Sequence, residues 1–314
     1  MTIGGDIINK DGPQNSTGFV YSTVETFTLR GSLIGGTLGV SNPAFAPIKS
    51  VSIGGSIVAR DGFQGSGVLT VASSAKTTIT VKGSIVGGEY TGWLSPNSSG
   101  TTAAGAIIAE GSVGTINIGG SIHGGTIDNA NPAVNGGISV NGNLGRLNIG
   151  GSVLGYNNDP VLILVTGSTF GVPAGTPAIG KVSIKGNATH AYIAAGTRMA
   201  NNGMAQPQVF DTFNPDASIG SVFIGGNFVN SNILAGVKDG GSLGVNNTAV
   251  ADTLNGVGKL GPVVIKGTLF SDRDADYSGF AADVIASITV AGRKVFKAGD
   301  GLRNFDTYIT AKEL

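Results

Sequence analysis

The densest run of potential ligands in the chain is "SDRDADYSGFAAD", in which Asp272, Asp274, Asp276, Ser278 and Asp283 stand at relative positions 1, 3, 5, 7 and 12. Oxygen donors in that order are how an EF-hand-type loop surrounds a calcium ion. Two positions depart from the pattern. Tyr277 occupies the place where the tight turn wants glycine, and Asp283 stands where a bidentate Glu would close the site. The five residues are candidate calcium ligands, and an ion held by them would rigidify a loop without catalysing anything. The competing reading is a solvated acidic loop.

Other chemistry-bearing residues are sparse. Asp11, Asp61 and Glu89 each fall six residues after a recurring glycine, so they could project together as carboxylates for acid/base work on a glycan. Thr37 breaks that row, and Asp11 and Asp61 sit in "KDG" and "RDG", ordinary turn dipeptides. The two histidines, His123 and His190, lie far apart in sequence and have no nucleophile in a recognisable spacing. Tyr90 and Trp93, in "EYTGWLSPNSSG", are a candidate contact patch on which a sugar ring could stack, or loop aromatics folded back onto the body of the protein. No catalytic and no cofactor-binding set is expected.

The elements that must position these residues are repetitive. "VSIGGSI" recurs with variations ten times, anchored on Gly5, Gly31, Gly55, Gly83, Gly120, Gly151, Gly186, Gly226, Gly267 and Gly292. Successive anchors lie 24 to 41 residues apart, so the motif is constant and the intervening length is not. Residues two and four before the anchor are apolar, and the residue between them is usually Thr, Ser or Asn, which is the period of a half-buried strand. Another apolar residue recurs seven before the anchor (Ile48, Val113, Leu144, Ile179), often followed by glycine, and a further one two after it (Ile57, Ile85, Ile122, Val153). The residue directly after the anchor is Asp6, Ser32, Ser56, Ser84, Ser121, Ser152, Asn187, Asn227 or Thr268, a candidate hydrogen-bonding ladder at a corner.

Units of this size cannot bury a core alone and must stack. The pattern predicts an all-β chain, a right-handed parallel β-helix (β-solenoid) of about ten coils, handed by the general crossover rule, with variable-length loops bulging from one corner. At about 4.8 Å per coil the rod is roughly 50 Å long. Residues 1–292 form the repeat domain. The more charged 293–314, where Lys294 replaces an apolar repeat position, form a C-terminal cap or a link to a following segment. With 54 Gly in 314 residues, 40% hydrophobic and 12% charged residues, the chain has the material for a long core. Absence of Cys excludes a disulfide scaffold. Zero net charge gives no nucleic-acid footprint, and no apolar run has the length for membrane insertion. Because Met1 to Ile7 already belong to a repeat, the chain reads as a segment of a longer protein, with no signal peptide of its own.

The stacked Gly-Ser units, with variants such as "AYIAAGTRMANNG" and "SNILAGVKDG", resemble the Gly-rich β-helical repeats of large bacterial surface proteins, including autotransporter passengers and filamentous haemagglutinin-like adhesins. That resemblance implies secretion, an extracellular or cell-surface location and a non-catalytic structural or adhesive role. The partners expected are a surface carbohydrate or protein ligand, or, from the open strand edge of the first coil, end-to-end self-association. The alternative is a carbohydrate-active enzyme, a polysaccharide lyase or hydrolase on the same scaffold, and after it a phage tailspike-like fibre. The two leading readings differ in one respect: an enzyme gathers carboxylates over one sheet, whereas a spacer or adhesin disperses them among loops.

Overall fold

The computed structural model describes residues 1–9, 17–21, 24–41, 48–61, 66–72, 77–89, 103–126, 134–156, 159–167, 176–198, 212–237, 257–271, 278–306 and 309–313. Each of the first nine repeats supplies one short strand to each of three sheets, and each strand pairs in parallel with its equivalent one repeat away. In the sixth repeat these strands are Leu144–Ile149, Val153–Leu154 and Val161–Val165. The three sheets are called here the first, second and third face. Their order follows the chain without interruption from the first repeat to the ninth. The protein is a parallel β-solenoid.

The register is the one the anchors predict. Ile3, Leu29, Ile53, Val81, Ile118, Ile149, Ile184, Ile224, Ile265 and Val290, each two before its anchor, are successive partners. The eight interior members are buried, and only the terminal Ile3 and Val290 are partly open. On the second face Ile57, Ile85, Ile122, Val153, Ala188 and Phe228 form another continuous ladder. Side-chain volume is balanced across this core: Ala188 stacks beside Phe228, whose ring packs against Phe280 of the third face at 5.2 Å between centroids.

The third face differs from the other two because it is buried on both sides in its later coils. Val161–Val165, Ala191–Ala195 and Ser278–Ala282 are buried at every position. Inward residues join the main core, and Leu162, Leu164, Tyr192, Ala194 and Leu234 form a separate apolar cluster on the outer side. A strand buried on both faces reads as a continuous apolar run with no alternation.

Three local features depart from the repeat pattern. The fourth coil is one residue short before its first strand, so Thr77 takes the place of the recurring apolar residue, opposite Val113, with a register shift after it. Its buried hydroxyl donates to the Ile48 carbonyl at 2.6 Å. The tenth motif, "ITVAGRK", keeps its strand in register but makes no corner. Ala291 (φ 48°) and Gly292 (φ 79°) form a two-residue reversal, and Arg293–Lys297 returns antiparallel to Ser287–Val290. Both central residues with positive φ match the turn that joins strands with the native twist. Lys294 therefore pairs beside Thr289 on the outside, which explains its departure from the apolar rule. A second hairpin, Leu302–Asp306 with Ile309–Glu313, ends the third face in the same way.

Loop length varies at two corners, not one. Between second and third faces, the seventh and eighth coils turn through the left-handed residues His190 and Asn230 (both φ 46°), whereas the fourth spends residues 87–102 there. Between third and first faces the fourth coil needs only Glu110 to Ser112, whereas the seventh spends residues 196–221, including the antiparallel pair Thr197–Arg198 and Thr212–Phe213. The corner between first and second faces keeps one length through nine coils.

Two outcomes follow from this packing. Ile149→Asp puts an unpaired carboxylate into the mid-rod ladder and should cost more than about 3 kcal/mol in urea unfolding, while Ser183→Asp, on the outward row, should stay within about 0.5 kcal/mol. Equal effects would contradict the inward and outward assignment. Ala291→Asn should raise stability by up to about 1 kcal/mol, since asparagine tolerates the left-handed region that alanine does not. A loss on that substitution would show that the chain does not reverse there.

Candidate functional site

The constant corner spans the three motif residues between the first and second strands, and its geometry is set by two of them, the anchor glycine and the residue after it. After each anchor glycine, a side-chain oxygen accepts a hydrogen bond from the backbone N–H of the equivalent residue one coil on. The series runs from Asp6 to Ser32 (2.6 Å), Ser32 to Ser56 (3.1 Å), Ser56 to Ser84 (3.0 Å), Ser84 to Ser121 (3.1 Å) and Ser121 to Ser152 (3.0 Å). It continues from Ser152 to Asn187 (3.0 Å), Asn187 to Asn227 (2.8 Å) and Asn227 to Thr268 (2.9 Å). The accepting oxygen lies where a Cβ on the next anchor would be: Ser121 Oγ under Gly151, Ser152 Oγ under Gly186, Asn187 Oδ1 under Gly226. Glycine is thus required by space, and the anchor N–H itself donates to the preceding anchor's carbonyl, as from Gly151 to Gly120 at 2.8 Å. A second glycine stack, Gly145, Gly180 and Gly220, is crowded in the same way, each against the carbonyl of its predecessor.

Most of the residues singled out from sequence are occupied in stacking or stand apart. Asp61 accepts the backbone N–H of Glu89 through Oδ1 at 2.9 Å, so the two exposed residues do meet across coils, but as a capped turn. His190 lies 3.4 Å from Asn230 through Nε2, one left-handed corner residue above another, and its carbonyl accepts from Val161. His123 sits two coils away, on the outside of the second face between Val86 and Leu154. Ser278 begins the strand Ser278–Ala282 and Asp283 directly follows it. Five residues of extended chain separate them by about 16 Å, too far for both to approach one calcium ion at its usual 2.3–2.6 Å. Ser278 is buried with its hydroxyl toward Ser271 Oγ, and the Asp283 N–H donates to the Gly258 carbonyl. The spacing that suggests an EF-hand-type loop is therefore folded as a strand over its second half. Asp272, Asp274, Asp276, Tyr90, Trp93 and Asp11 lie outside the described residues. Among the described residues no three His, Asp or Glu side chains gather as a metal site.

What the fold does assemble is a ruled outer surface on the first face. Thr28, Ser52, Thr80, Asn117, Asn148 and Ser183 are successive partners along one outward row, and Asn148 Nδ2 donates to Asn117 Oδ1 at 2.8 Å. Cations flank this row on both sides: Arg146 and Lys181 are direct partners, and Arg30, Lys82, Lys185 and Lys266 stand immediately before their anchors. All six are exposed. No family model, no curated protein and no solved structure matches the chain.

The corner makes a coupled prediction. Ser121→Ala leaves the Ser152 N–H without its acceptor and should cost about 1–3 kcal/mol. Gly151→Ala should cost more, because its methyl meets both Ser121 Oγ and the Gly120 backbone. In the double variant part of the clash is gone, so the two effects should fall short of additive by about 0.5–3 kcal/mol. Strict additivity in denaturant unfolding would show that the two residues do not touch.

Proposed function

We propose that the chain is a rigid, non-catalytic structural or adhesive segment of a bacterial surface protein, working outside the cell. The observation that carries this reading is the way the motif's polar residues are used. Asp6, Asp61 and the Ser/Asn corner series direct their oxygens at backbone N–H groups of the neighbouring coil, so side chains that could do chemistry hold the rod together. Nine repeats in one register then present outward rows at a fixed rise of about 4.8 Å, a geometry suited to spanning distance and to repeated weak contacts. The Gly-rich surface-protein repeats that the motif resembles are used in that way.

The test has two arms. Incubated with acidic and neutral polysaccharides, the protein should release no reducing ends and generate no unsaturated uronate absorbance. Antibody raised against it should label intact cells of the source organism. Steady release of oligosaccharide would replace this reading with the carbohydrate-active one, and labelling seen only after lysis would remove the surface location.

A further inference from the structure

Among the described residues charge is segregated. The whole chain is balanced, with 19 basic and 19 acidic residues. The first face is not. Arg30, Lys82, Arg146, Lys181, Lys185 and Lys266 project from it, and the returning strand adds Lys294 beside Thr289 and Lys297 beside Ser287, in line with the same outward rows. Against these stand Glu25, held by Lys49 at 2.7 Å, and Asp300, whose Oδ2 accepts the Lys297 backbone N–H at 3.1 Å. The described acids nearest in the coils sit at corners: Asp6 bonded to Ser32, Asp61 and Glu89 at the second corner, Glu110 at the third.

The arrangement is unfavourable without a counter-charge. Arg146 and Lys181 are direct cross-strand neighbours, and like charges so placed repel. Lys185 and Lys266 lie two coils apart, about 10 Å, and Lys82 and Lys185 three coils apart, about 14 Å, at the spacing between strands. The result is a straight strip with cations at both margins and hydroxyl and amide groups down the middle.

We propose that this strip binds a linear acidic polysaccharide laid along the rod, its carboxylates over the cation rows and its sugar hydroxyls on the Thr, Ser and Asn row. The chemistry favours that occupant over two others. Single-stranded nucleic acid is gripped by exposed aromatics that stack its bases, and the aromatic on this strip, Phe223, is half-buried. A bilayer surface is held by apolar side chains that insert, and Phe223 and Val264, the apolar members of the central row, are both half-buried. The proposal deepens the adhesive reading and rests on it. Binding is measured separately from the degradation and labelling arms above, so either can fail alone.

Binding of the full chain to polygalacturonate at low salt, followed by calorimetry, tests it against neutral dextran and a DNA duplex. Saturable binding to polygalacturonate is expected, with none to dextran, weaker binding to DNA, and a steep loss as salt shortens the screening length to about 8 Å. The triple variant Arg146→Gln/Lys181→Gln/Lys185→Gln should bind about tenfold or more weakly, and Lys82→Gln/Lys266→Gln should weaken it independently. Arg60→Gln, at a different corner, should change nothing. Undiminished binding by both variants, tighter binding to DNA, or no binding by the unmodified chain would each overturn the proposal.

Discussion

One hydrogen bond, repeated, sets the geometry of this protein: the N–H after each anchor glycine donates to the side-chain oxygen one coil below. It lies at the corner where the first strand ends and the second begins, and it works only if the anchor has no side chain. Both requirements are met by two adjacent residues, so a short motif specifies how one coil sits on the next. The strands on either side then inherit their register. Because a one-residue slip turns every inward side chain outward, the apolar ladders of Ile, Val and Leu depend on this corner as much as on their own hydrophobicity.

The other two corners show what happens without that constraint. They carry insertions that range from a single left-handed residue at His190 to long excursions in the fourth and seventh coils. The longest excursions lie at the second-to-third corner in the fourth and fifth coils and at the third-to-first corner in the sixth to eighth, so the rod stays continuous while its flanks change. Function that varies can be placed on those flanks, and function that needs periodicity falls to the first face, whose outward rows are held at constant spacing by the constant corner.

Much of the fold is legible in the sequence because the motif is local. Nine of the ten anchors and the polar residues after them stand where the spacing places them, as do the residues two before each anchor and, from the second coil on, those four before. Other parts are not legible, for physical reasons. The third strand lacks alternation because both of its sides are buried, so "VLILV" and "AYIAA" give no period. Ala291–Gly292 satisfies the anchor pattern and the hairpin turn equally, and only pairing distinguishes them. Ser278 and Asp283 count correctly for a calcium loop, yet spacing along a chain does not bring donors together once the intervening residues extend into a strand. The cationic strip was within reach of sequence reading. Its cations stand at the outward positions one and five before the anchor, in the same motif that carries the inward residues.

Amide hydrogen exchange at the constant corner tests the central claim most directly. If the side-chain ladder holds the coils in register, the N–H groups of Ser84, Ser121, Ser152 and Asn187 should be protected as strongly as those of the flanking strand residues, such as Ile149 and Ile184, and should open together with them. Corner amides that exchange rapidly while the strands stay protected would show that the hydrophobic ladders set the register unaided, and that the Gly-Ser corner merely follows.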